Sequence, residues 1–274
     1  MRVAYAEPAG IRTRFLDSGS GNPLLLVHGV GASADSFAQN VRALGKRFRA
    51  IAPDLIGHGF SAGGLLPHPP PHEQMSRQIL ALADGLGIGR FALAGTSYGA
   101  LVAAHTALQA ADRVSKLVLI GSGSVFHPPE GQARTLRAAA DNGRRAIGGA
   151  SFEACLARLS RLVHSPAVIP DSLVYAQLNA YALPDRVSEY EKTLAGAIAA
   201  AEGMDATVHA KLDRLEMPVR IIVGRNDPRA DWREHEKAAS RIRGATLSIY
   251  EGCGHMPYLE HASRFNAELL DFLS

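Results

Sequence analysis

An α/β fold built on a largely parallel sheet is what this 274-residue chain predicts, and three observations carry the prediction. Short, near-continuous apolar runs recur along the chain; amphipathic helical spacing fills the intervals between them; and one long helical stretch interrupts the alternation. Strands buried on both faces read as unbroken apolar runs, which is the signature of parallel strands covered by helices.

The elements follow in chain order. "IRTRFL" (11–16), "PLLLVHG" (23–29), "FRAIAPD" (48–54), "RFALAG" (90–95), "KLVLIG" (116–121), "VRIIVG" (219–224) and "TLSIYEG" (246–252) read as strands. Between them Phe37, Val41 and Leu44 share one helix face, as do Met75, Ile79, Leu82 and Leu86, then Leu101, Ala104 and Leu108; residues 231–242 and the closing "SRFNAELLDFL" repeat the pattern. From Ser122 to Arg214 no strand-like run occurs. There "RTLRAAADNGRRAI", "SFEACLARLSRLV", "SLVYAQLNAYAL" and "VSEYEKTLAGAIAAAEG" read as consecutive amphipathic helices. So long a stretch is not a simple loop, and the chain divides into a core (1–121 and 215–274) and a helical lid (122–214). "LPHPPPHE" (66–73) is a Pro-rich connection; His68 and His72 have the spacing of two metal ligands on a helix, but the intervening prolines forbid that helix, so a solvated loop and no metal are expected.

Composition narrows the function classes. A 47% apolar and 20% charged chain is globular, and a net charge of +3 scattered among acids offers no basic arm, so no nucleic-acid partner is expected. Cys155 and Cys253 stand far apart without a second cysteine nearby, which supports neither a disulfide framework nor a metal motif. The opening "MRVAYAEPAG" lacks the apolar core of a signal peptide and no window has membrane-spanning length, so a cytoplasmic monomer or homodimer with no membrane partner is expected.

Chemistry concentrates at strand ends. "LAGTSYGA" places Gly95, Ser97 and Gly99 as G-x-S-x-G between a strand and a helix, a tight turn that exposes the serine as a nucleophile. A serine hydroxyl needs a base and the base an orienting acid. Asp227 follows "VRIIVG" and His255 follows "TLSIYEGCG", so Ser97, Asp227 and His255 lie on one edge of the sheet in the order this architecture uses. Alone, Asp227 reads as a turn and cap residue and His255 as a loop residue; Asp54 shapes its own loop, and Asp231 and Glu251 are weaker rivals. "VHGVGAS" (27–33) supplies a second turn, where the amide of Val30, with the amide of Tyr98, would receive an oxyanion and Gly29 would border the substrate. His28 reads as a structural residue beneath that turn.

On these motifs the chain resembles the α/β-hydrolase fold family over essentially its whole length: "LLLVHGVGAS", "RAIAPDLIGHGFS", "LAGTSYGA", "IIVGRNDP" and "GCGHMPYLEHASRFNAELLDFL" fall in the family's order. The resemblance implies a mostly parallel eight-stranded sheet flanked by helices, a helical cap inserted after strand 6, and no cofactor. Within the family, the cap and N-terminal stretches resemble the carbon–carbon hydrolases of aromatic ring-fission products, which work through a ketonised intermediate. Four positions depart from that pattern: Gln177 where the subfamily has a cap arginine, Thr96 and Ser36 where it has asparagines, and Met256 where it has a tryptophan. A neutral glutamine does not replace an arginine fork, so an esterase acting on a small to medium, largely apolar substrate ranks first here and carbon–carbon cleavage second. Tyr175, Leu178 and Tyr181 of the cap are read as pocket residues, with helix packing as their alternative; Met75 and Leu183 stand in the same position. A nucleophilic serine disfavours dehalogenase and epoxide-hydrolase chemistry, perhydrolase activity shares the triad, and "IGSGSVF" lacks the third glycine of a nicotinamide fingerprint. A non-catalytic binding protein on the same fold is the reading from another class.

Overall fold

Eight strands, β1 (Arg2–Ala6), β2 (Thr13–Ser18), β3 (Asn22–Val27), β4 (Phe48–Pro53), β5 (Phe91–Thr96), β6 (Val114–Ile120), β7 (Val219–Gly224) and β8 (Thr246–Tyr250), form a single sheet in the order β1-β2-β4-β3-β5-β6-β7-β8. The structure, a computed structural model, describes residues 1–203 and 208–274. From β4 to β8 every neighbouring pair is parallel, and β2 runs antiparallel to both β1 and β4. The apolar runs behave as a doubly covered sheet requires: Leu24, Leu25, Leu26, Leu93, Leu117 and Ile221 are fully buried. β1 was not foreseen. It is an edge strand, with Val3 and Tyr5 exposed, so its residues carry no burial pattern.

Helices α1 (Ala38–Leu44), α2 (Pro71–Gly85), α3 (Tyr98–Gln109), α9 (Trp232–Ala239) and α11 (Ala262–Leu273) connect or follow the strands, with α10 (Pro257–Glu260) a single turn before the last. Between β6 and β7 come α4 (Gly123–Phe126), α5 (Pro129–Gly149), α6 (Phe152–Ser160), α7 (Asp171–Tyr181) and α8 (Arg186–Glu202). The four helical runs read in 122–214 therefore form as helices, and residues 204–207 of that stretch lie outside the described residues. Helix α8 is tied to the core by Arg186, whose guanidinium donates to the Ser61 carbonyl at 2.9 Å, and by the Glu189 carboxylate, which accepts from the amides of Gly64 (3.2 Å) and Leu65 (3.3 Å).

His72 departs from its expected place in a solvated loop. Pro71, which needs no amide partner, opens α2, and His72 in the first turn is buried edge-on against His105 with ring centroids 5.0 Å apart. Its ring is therefore buried against another imidazole rather than solvated.

The chain reverses its direction of travel across the sheet at β3, since β4 lies on one side of it and β5 on the other. Loops leaving the carboxyl ends of two such strands diverge and leave a crevice between them, where ligands of open α/β sheets bind. The loop after β3 and the turn after β5 open onto this crevice.

Candidate active site

Ser97 is the sole residue between the end of β5 and the start of α3, at φ 55° and ψ −122°. Such a conformation in a residue with a side chain costs about 1–3 kcal/mol and persists only where the surroundings enforce it. Here the Ser97 amide donates to the Ile120 carbonyl at 2.9 Å, and the Ser122 hydroxyl donates to the Ser97 carbonyl at 2.7 Å. The flanking glycines allow the turn to close. A Cβ on Gly95 would lie 2.2 Å from the Gly99 carbonyl oxygen, and one on Gly99 would lie 2.3 Å from that of His28. Gly99→Ala therefore sets side chain against backbone, and a loss of about 3 kcal/mol in unfolding free energy is expected from urea titration; a change near zero would show that the turn relaxes freely.

Asp227 and His255 meet beyond the ends of β7 and β8. His255 Nδ1 lies 2.8 Å from Oδ2 and 2.9 Å from Oδ1 of Asp227. A carboxylate at that distance places the proton on Nδ1 and leaves Nε2 as the acceptor. Asp227 also performs the turn role foreseen as its alternative: Oδ1 accepts from the amides of Arg229 at 2.7 Å and Ala230 at 3.1 Å, which fixes the carboxylate beneath the ring. A Cβ on Gly121 would approach Asp227 Oδ2 to 2.9 Å, so a glycine stands there. Ser97 and His255 line one cavity, and neither Ser97 Oγ nor His255 Nε2 has a hydrogen-bond partner among the described residues.

The rival carboxylates are committed elsewhere. Asp54 accepts from the amides of Ala34 (2.7 Å) and Phe60 (2.8 Å), pinning the loop after β3. Asp231 caps α9 through the Arg233 amide at 2.9 Å, and Glu251 pairs with Arg225 at 2.8 Å on the surface. His28 holds the turn from below, with Nε2 accepting from the Leu55 amide at 3.0 Å and Nδ1 directed at the Gly29 carbonyl at 2.8 Å.

Gly29, Val30, Ser36, Thr96, Gln177, Tyr181 and Met256 all line the cavity with Ser97. Tyr98 is the first residue of α3, where a backbone amide has no intrahelical acceptor. Two cap residues read as pocket residues are not in this wall. Tyr175 is 55% exposed and packs on Phe152 with ring centroids 5.1 Å apart, and Leu178 packs against the core outside the cavity. The buried face of α7 runs through Leu173, Val174, Gln177, Ala180 and Tyr181, a helical phase that turns Tyr175 and Leu178 away. Met75 and Leu183 also lie outside the cavity lining.

Sequence reasoning missed several neighbours. Arg158, Arg229 and Tyr258 line the cavity. Glu260 braces the histidine loop: its carboxylate accepts from the amides of Gly254 (2.9 Å) and Met256 (3.2 Å), and from His164 in the segment after α6 (2.6 Å). The signal was a carboxylate five residues beyond the histidine, indistinguishable in sequence from a helix-surface charge. Among the described residues no group of three or more His, Cys, Asp or Glu is placed to hold a metal ion, and both cysteines are buried and free.

Comparison with known proteins places these features in a family. A profile described as alpha/beta hydrolase fold matches residues 22–262. Over 283 aligned residues the chain is 29% identical to the 2-hydroxymuconate semialdehyde hydrolase of Pseudomonas sp. (strain CF600), covering 97% of this chain and 92% of that protein. It is 29% identical to the 2-hydroxy-6-oxononadienedioate/2-hydroxy-6-oxononatrienedioate hydrolase of Burkholderia vietnamiensis (strain G4 / LMG 22486), over 96% of this chain and 91% of that one. Among solved structures, a thermophilic esterase from Thermogutta terrifontis superposes with a TM-score of 0.77 at 28% identity, covering 100% of this chain and 98% of the esterase.

Proposed function

The chain belongs to the α/β-hydrolase fold family, and on that premise we propose that it is a serine hydrolase cleaving the carbon–carbon bond beside an aldehyde or ketone carbonyl in a small ring-fission product. The observation that carries the reading is the seating of His255 on Asp227 at 2.8 Å with Nε2 unengaged in the cavity that holds Ser97. In this reading Nε2 takes the Ser97 proton as Oγ adds to the carbonyl carbon, and the amides of Val30 and Tyr98 hold the developing oxyanion. Collapse expels a carbon leaving group that is stabilised when the rest of the substrate is in its keto form, and imidazolium protonates it. Water then releases the acyl group from Ser97 by the same proton path. Residues 122–214 act as the lid that excludes bulk water from these steps.

Carbon–carbon cleavage now ranks above ester cleavage. Both curated relatives are named for unsaturated 2-hydroxy-6-oxo acids, and they match over almost their full length. The preference for an ester rested on Gln177, whose Nε2 donates to the Gly31 carbonyl at 3.2 Å while its buried Oε1 has no partner among the described residues. Ester hydrolysis remains the second reading because the same triad performs it and because of the likeness to an esterase.

The deciding measurement is a side-by-side assay of 2-hydroxy-6-oxohexa-2,4-dienoate and 4-nitrophenyl butanoate. The dienoate is expected to be turned over with a kcat/KM more than about tenfold above that of the ester. Turnover of the ester alone would return esterase to first place.

A further inference from the structure

Among the described residues, two arginines, Arg158 and Arg229, line the cavity that holds Ser97, and no acidic residue does. Neither arginine takes part in an ion pair among the described residues. Arg158, on α6, is 5% exposed; its Nη2 donates to the Val30 carbonyl at 3.0 Å, and its buried Nε has no partner. A guanidinium removed from water without an anion is costly, by several kcal/mol in real proteins, so its presence calls for a function. The structure keeps it in place. A Cβ on Gly31 would stand 2.7 Å from Nη2, and the ring of Tyr181 lies 5.9 Å from its Cζ.

Arg229, two residues beyond Asp227, reaches the same wall from the core side, and its guanidinium makes no hydrogen bond among the described residues. Burial, and then the like charge of Arg158, pull its pKa below the ordinary arginine value, with Asp227 and Asp141 opposing the shift more weakly. Arg229 also lines an open surface cleft, together with Arg134, Arg225, Arg233, Asp227 and Asp231, so it stands between that cleft and the cavity.

We propose that Arg158 and Arg229 form a carboxylate subsite beside Ser97, so that the substrate is an organic anion held by one arginine from the helical insertion and one from the core. The inference rests on the reading of this cavity as the active site, and not on which bond is broken there. It also reverses the expectation drawn from Gln177: the arginine absent from α7 is replaced by one from α6 that lines the same cavity.

Two esters of equal acyl length separate the cases: mono-4-nitrophenyl glutarate, which ends in a carboxylate, and 4-nitrophenyl pentanoate, which ends in a methyl. Both release nitrophenolate, so the comparison does not depend on carbon–carbon cleavage. The wild type is expected to favour the glutarate ester in kcat/KM, and Arg158→Met and Arg229→Gln each to lower that preference about tenfold or more, with Arg158→Lys intermediate. Calorimetric titration of glutarate into wild type and variants gives a readout without turnover, with binding expected in the wild type and weakened in each variant. Absence of any preference and of glutarate binding in the wild type, or a preference unchanged by both substitutions, overturns the subsite. If Arg158→Met does not fold, Arg229→Gln decides alone. If neither ester is hydrolysed while glutarate still binds through the arginines, the hydrolase reading fails and the subsite stands.

Discussion

Ser97→Ala is expected to lower kcat by about 10⁴-fold or more with the fold retained, His255→Ala to do the same, and the double variant to lose little beyond either single one. In the proposed mechanism the three groups act as one device, because an imidazole without the hydroxyl has no proton to accept and a hydroxyl without the imidazole is not activated. Asp227→Asn makes the sharper test. The carboxylate serves the backbone amides of Arg229 and Ala230 through Oδ1 while both its oxygens face Nδ1 of His255. An asparagine whose oxygen stays on those amides turns its NH₂ toward Nδ1, which must then accept. The proton moves to Nε2, where a base is needed, and the loss is expected to be about 10⁴-fold without unfolding. Steady-state kinetics with circular dichroism on each variant, and peptide mapping after fluorophosphonate labelling, read these outcomes. Multiplicative losses in the double variant, or a label mapped away from Ser97, would remove the triad.

How much of this was legible beforehand depends on what each residue answers to. Strands β3 to β7 announce themselves because both faces are covered and their central positions form apolar runs; β1, at the edge, has no such obligation and went unread. Ser97, Asp227 and His255 were placed because each sits on a turn at a strand end, where local sequence fixes local geometry. Arg158 was not. In "CLARLSRLV" an arginine reads as a solvated helix face, and only docking of α6 on the loop after β3 buries it. Tyr175 and Leu178 failed for the related reason that a helix's amphipathic pattern shows which residues face inward somewhere, without saying which cavity they reach. For Asp227 the turn reading holds, and the turn that it caps also sets its carboxylate against the imidazole of His255.

Acid is expected to unfold the protein in the pH range of about 4 to 6, well before its carboxylates titrate fully in the unfolded chain. Burial pushes His28 and His72 down to about 3 and His58 and His235 down to about 4. The hydrogen bonds agree with neutral rings. Nε2 of His28 accepts from Leu55 and Nε2 of His235 from Ser122 at 3.1 Å, while Nδ1 of each faces a carbonyl oxygen. Below the unfolded value of about 6.5 the unfolded chain takes up these protons and the native state does not, so stability falls as pH falls until the native values are reached, by about 1.4 kcal/mol per pH unit for each ring. Asp54 opposes this. Burial raises its pKa to about 6, so between there and its unfolded value the native state binds the extra proton and gains stability on acidification. Four rings against one carboxylate leave a net loss on the order of 5 kcal/mol by about pH 5, comparable with the whole stability of a typical domain. Urea unfolding at stepped pH measures the slope, and His72→Leu, which removes a ring whose buried Nδ1 has no partner, is expected to flatten it by about one proton. Stability that stays level from pH 7 to 4.5 would mean that these imidazoles are hydrated or charged in the folded protein.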